Sequence, residues 1–329
     1  MSNTKPVRMV GVVGTGGMGR VHARQYAKMP GVELIAFDAV PERAVAYAND
    51  TGATIAKTFD DLLRNSDVVD VCLPTHLHLE FASKALRAGK PTICEKPMCR
   101  KVRECAQLVE EAEKADVPFM PAQVVRFFPE FRKAHQLVID GAVGTPGAIR
   151  TRRCGRHPKG TDLWFGNIEL SGGVLMDLAV HDFDWIRWTF GEVRHLFSQA
   201  LTFTGLIGLD YSLTTLTLES GALAHVEGNW AEPTGFRVGF EISGTEGFIE
   251  YDNHQTVALR TSTETGSVPE SPMLPVDDPY YLQLRGFLDA VENNQPPPVS
   301  AIDGLRAVAI CEAAIESAKT GRVIKPAAG

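Results

Sequence analysis

The sequence predicts an α/β domain, a doubly wound parallel sheet of the Rossmann type, followed by an α+β domain. The latter would hold a large open, mainly antiparallel sheet covered by helices on one face. Three observations carry this prediction. The apolar segment Val7 to Val13 runs into the glycine turn of VVGTGGMG (Val12 to Gly19) and then into the helical pattern MGRVHARQYAKM. Apolar strand-like and amphipathic helix-like stretches then alternate as far as VPFMPAQ, the signature of βαβ units. From Val193 onward short alternating segments dominate, separated by turn residues such as Glu219-Ser220-Gly221. At 329 residues the chain is too long for one ordinary core. The change of pattern sets the expected domains at 1–123 and 124–329.

The first turn has the order Gly14-x-Gly16-x-x-Gly19. In the dinucleotide fingerprint the first glycine makes the tight turn, the second lets a pyrophosphate approach the backbone, and the third lets helix and strand pack closely. The helix N-terminus then offers unpaired N–H groups and a positive dipole end to the phosphates. The second strand, VELIAFD, ends in Asp38 at the spacing where an acidic residue accepts from the adenosine ribose. Ala39 follows it, so no arginine adjoins Asp38 to receive a 2′-phosphate, and NAD is the expected cofactor. Arg43 in the next helix leaves NADP as the alternative.

The next segments can be taken in order. PERAVAYANDTG reads as a helix with proline in its first turn and glycine at its exit. Thr58 to Leu63 reads as a short helical connector. Val68 to Leu73 is a buried strand stopped by Pro74, and THLHLEFASKALRAGK a helix. PTICEKP gives the fifth strand, VRECAQLVEEAEKAD an amphipathic helix, and VPFMPAQ a last strand. A parallel sheet of this kind binds ligands at the carboxyl ends of its strands. That rule gathers the glycine turn, Asp38, Pro74 to His78, and Glu95-Lys96-Pro97 on one edge.

A GxGxxG turn, an acidic end to the second strand and EKP after the fifth resemble the glucose–fructose oxidoreductase/inositol dehydrogenase (Gfo/Idh/MocA) family. The resemblance implies a nicotinamide-dependent sugar or polyol oxidoreductase in which Lys96 is catalytic. It also implies cofactor contacts from Gly14, Gly16, Gly17, Met18, Gly19, Asp38, Pro74, Thr75, His78, Glu95 and Lys96. Where the family commonly has TPNxxH, this chain reads LPTHLH, keeping Pro74 and His78 but lacking the Asn, and carries His76 between them.

In the second half, RFFPEFRKAHQLVIDGAVG reads as a helix opened by Arg126, and GAIRTRRCGRH as an arginine-rich strand. Those arginines fit a solvated sheet face or a neighbouring subunit. The loop 156–169 is the place for substrate specificity. SGGVLMDLAVHDFDWIRWTFG predicts one apolar helix from Gly172-Gly173 to about Phe190, with Asp177, His181 and Asp184 along one side. A polar line in apolar surroundings needs partners. It suits either a clamped core histidine or a general base oriented by a carboxylate. GG-x-x-x-D-x-x-x-H-D matches the family's second motif, so the resemblance assigns Asp177 and His181 to catalysis beside Lys96. Arg126, Trp164 and Trp230 join Asp177 and His181 as candidate substrate contacts, the tryptophans by stacking on an apolar sugar face. The final sheet leaves one face open, and the family's sheet-on-sheet assemblies imply a homodimer or homotetramer.

Composition narrows the rest. A net charge of −7 argues against nucleic acid as the main partner, and no apolar run reaches the length that spans a bilayer. The six cysteines form no CxxC pair and read as reduced, buried thiols of a cytoplasmic protein. His76, His78, Asp177 and His181 supply no closed ligand set, so no metal is expected. The function expected is hydride transfer between NAD and a secondary alcohol of a sugar, inositol or related polyol, with His181 as base. The alternatives are an NADP(H)-dependent reductase of an aldehyde, ketosugar or imine, and a non-enzymatic NAD-binding regulator.

Overall fold

The computed structural model describes residues 7–158, 164–202, 210–232, 235–255, 259–264, 266–270 and 278–327. The first half runs β1 (Met9–Val13), α1 (Gly17–Tyr26), β2 (Glu33–Phe37), α2 (Pro41–Thr51), β3 (Thr54–Ile55), α3 (Phe59–Asn65) and β4 (Val68–Val71). It continues with α4 (His78–Arg87), β5 (Thr92–Glu95), α5 (Val102–Ala115) and β6 (Phe119–Ala122). The second half runs α6 (Pro129–Ile139), β7 (Pro146–Cys154), α7 (Ile168–Ser171), α8 (Gly173–Asp177) and α9 (Val180–Phe190). Strands β8 (Val193–Leu201), β9 (Tyr211–Leu218), β10 (Leu223–Asn229), β11 (Arg237–Gly244), β12 (Gly247–Asp252), β13 (Leu259–Thr263) and β14 (Gly266–Glu270) follow, then α10 (Pro279–Asn293) and α11 (Ala301–Thr320).

Strands β1 to β6 form one parallel sheet in the order β3-β2-β1-β4-β5-β6. Val10, Val12, Val13, Val68, Val69, Val71 and Ile93 are wholly buried, as expected of strands covered on both faces. The order reverses beside β1, which pairs with β2 on one side and β4 on the other. That reversal opens a crevice beyond the strand ends. Local signals set the helices. Pro41 opens α2, and Gly52, with φ 74°, closes it; the Thr58 hydroxyl caps α3 by accepting from the Asp61 N–H.

The other sheet has the order β14-β13-β12-β11-β7-β10-β9-β8. It is antiparallel except between β7 and β10. It departs from a simple meander, because β7, which precedes the helices, is inserted at its centre. Burial alternates along β9, β10 and β11, with α8 and α9 packed on the inner side. Parts of the expected strands at 203 and 256–258 lie outside the described residues.

Two expectations are revised. Sequence alone predicts one helix from Gly173 to Phe190, whereas α8 ends at Asp177 and α9 begins at Val180. The Val174 carbonyl accepts from both Leu178 and Ala179 N–H, at 3.0 and 2.9 Å; this widened turn resets the helical register. The chain also divides into compact units that differ from the expected domains: Met1–Val124 with Asp277–Leu305, and Val125–Val276 with Arg306–Gly329. The first division falls between Val124 and Val125. However, α10 packs on α1 and buries Leu284, Phe287 and Leu288, so it belongs with the first unit.

Candidate active site

In the first unit the glycine turn has the form of a phosphate cradle. Gly14 has φ 94°, and a Cβ there would lie 2.6 Å from the Cys72 carbonyl oxygen. A Cβ on Gly19 would lie 2.2 Å from the Gly14 carbonyl oxygen, so α1 can meet its own turn only with glycine at that position. Gly16 and Gly17 face open space, with nothing within 4 Å of a built Cβ. Helix α1 has no side-chain cap and no acidic residue in its first turn, which leaves its N-terminal N–H groups to an anion. The Asp38 carboxylate is fixed at the end of β2. Its Oδ2 accepts from Thr15 N–H and Oγ1–H at 3.0 and 2.8 Å, and its Oδ1 accepts from Val40 N–H at 2.9 Å. These features fit a dinucleotide, with phosphates at the turn and a ribose at Asp38. Met18 follows Gly17 in the first turn of α1.

At the neighbouring strand ends, Pro74 precedes a single 3₁₀ turn in which Thr75 is buried. Burial lowers the pKa of His76 in the same turn. Glu95 ends β5 and is buried, and Lys96 joins Pro97 through a cis peptide bond. The Lys96 N–H donates to Glu95 Oε2 at 3.1 Å. His78 takes a different part from the expected one. Its ring is wholly buried, with Nδ1 2.9 Å from the Pro97 carbonyl and Nε2 2.8 Å from the Leu73 carbonyl. Both nitrogens are engaged by the chain itself, so His78 ties β4 to the Lys96 loop. Burial holds its pKa below the ordinary histidine value, against the pull of those carbonyls.

In the second unit, Gly172 and Gly173 take φ 82° and 68°, and Ser171 Oγ accepts from the Gly173 N–H at 3.0 Å. This turn starts α8, whose last residue, Asp177, is 9% exposed. His181 lies in the first turn of α9 and is half-buried. A Cβ at Gly228 would reach 3.4 Å from Val174, so glycine in β10 brings α8 close to the sheet.

The polar line predicted along one helix divides by role. Asp184 is not part of it: Arg126 Nε and Nη2 donate to its two oxygens at 2.7 and 2.6 Å. Arg126 is 6% exposed, with its guanidinium 5.3 Å from the centre of the Trp188 ring. This pairing corrects its expected place among the substrate contacts. Asp182, which carries no expectation, forms the matching pair with Arg153 at 2.7 Å. Trp230 is 4% exposed and packs edge-on to His157 and Phe165, at 4.9 and 6.4 Å between ring centres. Trp164 stacks on Phe165 at 3.9 Å. Residues 159–163 of the expected specificity loop lie outside the described residues.

Sequence reasoning misses three groups. His157 shares its surroundings with Asp177 and Asp210; burial lowers its pKa while both carboxylates oppose the shift. His22 and Asp70 form a buried cluster with Glu95 in the first unit. The available signal for Asp70 was its place in the apolar run VVDVC, where a carboxylate has to be partnered.

A Rossmann unit with an open phosphate turn, joined to a unit built on an eight-stranded sheet, defines a nicotinamide oxidoreductase of two-unit design. The comparisons make this specific. Residues 8–123 match the model described as an oxidoreductase family with NAD-binding Rossmann fold, and residues 131–250 match the GFO/IDH/MocA C-terminal domain. The chain belongs to the Gfo/Idh/MocA oxidoreductase family and carries its NAD-binding Rossmann domain. It is 28% identical to an uncharacterized oxidoreductase, YrbE, of Bacillus subtilis, over 95% of each chain. It is likewise 28% identical to a myo-inositol 2-dehydrogenase of Thermotoga maritima, over 96% of this chain and 98% of that one. Among solved structures, GenD2 from gentamicin A biosynthesis, in complex with NAD, superposes with a TM-score of 0.88 at 27% identity, covering 99% of this chain and 98% of that one.

Proposed function

We propose that the protein is an NAD-dependent dehydrogenase acting on a secondary alcohol of a sugar, inositol or related polyol. His181 serves as general base, assisted by Lys96 and Asp177. The observation that carries this reading is the shared strand-end edge of the first unit. The glycine turn, the fixed Asp38 carboxylate and the Glu95-Lys96-Pro97 loop all stand at carboxyl ends of the parallel strands. The relative named myo-inositol 2-dehydrogenase supports the polyol class.

Asp38 favours NAD, since a carboxylate accepts from a ribose hydroxyl and repels a 2′-phosphate. Bound NAD supplies the hydride acceptor. At the carbinol carbon the C–H bond breaks as hydride leaves, and the C=O bond forms as the hydroxyl proton passes to the His181 imidazole. The Lys96 ammonium stabilises the developing alkoxide. Asp177 accepts from a substrate hydroxyl or orients the histidine.

The same reading places a second copy of the chain on the open sheet face, as a homodimer or homotetramer. Leu213 and Leu223, on neighbouring strands β9 and β10, are each more than 40% exposed, which supports it. All six cysteines are buried thiols outside any disulfide, in keeping with a reducing, cytoplasmic setting. No helix among the described residues is long and apolar enough to cross a membrane.

The test is NADH appearance with NAD, then NADP, over a panel of sugars, inositols and sugar acids, beside Lys96→Ala. Turnover that prefers NAD and is lost in the variant is the expected result. Preference for NADPH with a carbonyl substrate would instead establish the reductase, and NAD binding without turnover would establish the regulator.

A further inference from the structure

Helix α1 sends a histidine back under the sheet. His22 is wholly buried, with Nδ1 2.8 Å from Asp70 Oδ2. On its other side Nε2 lies 3.1 Å from Glu95 Oε1, an ionic contact off the hydrogen-bond line. Tyr26 donates to the same Asp70 oxygen at 3.0 Å, and the Cys72 thiol donates to Oδ1 at 3.3 Å. The ring of Tyr280 from α10 stands 6.1 Å away. His22, Asp70 and Cys72 have donor atoms within 4.8 Å of one another. The imidazole, the thiol and the phenol all turn onto the one Asp70 carboxylate.

An imidazole facing a carboxylate on each side is best satisfied as an imidazolium. Burial is the largest single influence and opposes its charge, yet Asp70 and Cys72 together hold the His22 pKa well above the ordinary value. The cation separates two carboxylates that adjacent strands β4 and β5 bring together. Without it, Asp70 and Glu95 would repel one another in a buried site. Glu95 Oε1 faces His22, while Oε2 accepts from the Lys96 N–H.

We infer that His22 is a positioning residue for Lys96. As a buried cation it fixes the Glu95 carboxylate, and Glu95 in turn fixes the Lys96 main chain. The glycine-turn helix that receives the dinucleotide is thereby tied to the loop that carries the lysine. The inference rests on the role proposed above for Lys96.

The test uses the full-length protein labelled with [15N]lysine, with the Lys96 amide assigned by its loss in Lys96→Arg. In His22→Gln, Lys96 amide exchange should quicken by about tenfold or more while the other lysine amides of the first unit hold to within about twofold. With NAD and myo-inositol as the probe, kcat should fall by roughly tenfold to a hundredfold while the KM for NAD stays within about threefold. Adding Glu95→Gln should then cost less than about twofold more, since the two side chains act in series. Should His22→Gln fail to fold, Glu95→Gln alone breaks the same link from its other end, with the same readouts.

Unchanged Lys96 exchange overturns the inference, as does an unchanged kcat in an enzyme that Lys96→Ala inactivates. Full turnover in Lys96→Ala removes the catalytic reading of the lysine instead, and amide exchange still decides whether His22 positions the loop. If myo-inositol is not turned over, exchange alone decides.

Discussion

The two units bury charge in contrasting ways. In the second unit, Arg126 grips Asp184 and Arg153 grips Asp182, each guanidinium reaching both oxygens of its carboxylate. Each also lies over an aromatic ring, Trp188 at 5.3 Å and Phe131 at 5.4 Å. In the first unit a single imidazole spans two carboxylates at the ends of neighbouring strands. A guanidinium keeps its proton at any accessible pH and presents a planar fork to one partner. An imidazole is compact, has a donor at each end of the ring and titrates. Arginine therefore closes α9 against its surroundings, whereas histidine joins two strand ends where the proposed chemistry begins.

The largest expected effect is on the catalytic side of this contrast. Lys96→Ala should lower kcat/KM by roughly 10²- to 10⁴-fold, with NAD affinity, measured by NADH fluorescence, little changed. Turnover near that of the unaltered protein would falsify the assignment of Lys96.

Next comes Asp184→Ala, which strands the buried Arg126 guanidinium. Loss of one partner of a buried ion pair costs about 3–5 kcal/mol, so the urea midpoint should drop sharply. A midpoint within error of the unaltered protein would mean that the fork contributes nothing to the fold.

A smaller effect separates the two devices by pH. Because the folded pKa of His22 is raised, its contribution is complete below the unfolded value of about 6.5 and fades as pH climbs through the folded value. Urea midpoints from pH 6 to 9 should thus decline in the unaltered protein, by no more than about 1.4 kcal/mol per pH unit from this group. The decline should flatten in His22→Gln and persist in Asp184→Ala. Parallel curves for His22→Gln and the unaltered protein would show that the imidazole is not a cation.

The smallest effect belongs to the outer sheet face. Arg150 pairs with Glu241 across strands, but their side chains are 65% and 45% exposed. Arg150→Ala should change stability by less than about 1 kcal/mol. A larger loss that tracks a change in oligomer mass by light scattering would identify that pair as part of a subunit contact.

The outline was legible in the sequence where the signals are local. The glycine turn, Asp38, the alternation of strands and helices and the Glu95-Lys96-Pro97 loop depend on residues near one another in the chain, and the glycines tolerate no Cβ where packing is closest. The six-stranded sheet follows from that pattern, because parallel strands need helical crossovers and the crossovers have one hand. Two partly local signals misled. Asp184 looked like a partner of His181 on the same helix, but Arg126 takes its carboxylate, and the double hydrogen bond at the Val174 carbonyl changes the register between Asp177 and α9. Arg126 looked available, and a carboxylate distant in sequence holds it.

Tertiary structure alone decided what pairs over long distances. The insertion of β7 at the centre of the second sheet, the return of α10 to α1, and the meeting of His22 with Asp70 and Glu95 carry no periodic signature. Sequence states which buried polar groups require partners, because an unpartnered charge is too costly to keep. Which partner arrives depends on strand order and helix packing, and those are settled by burial of the whole chain at once.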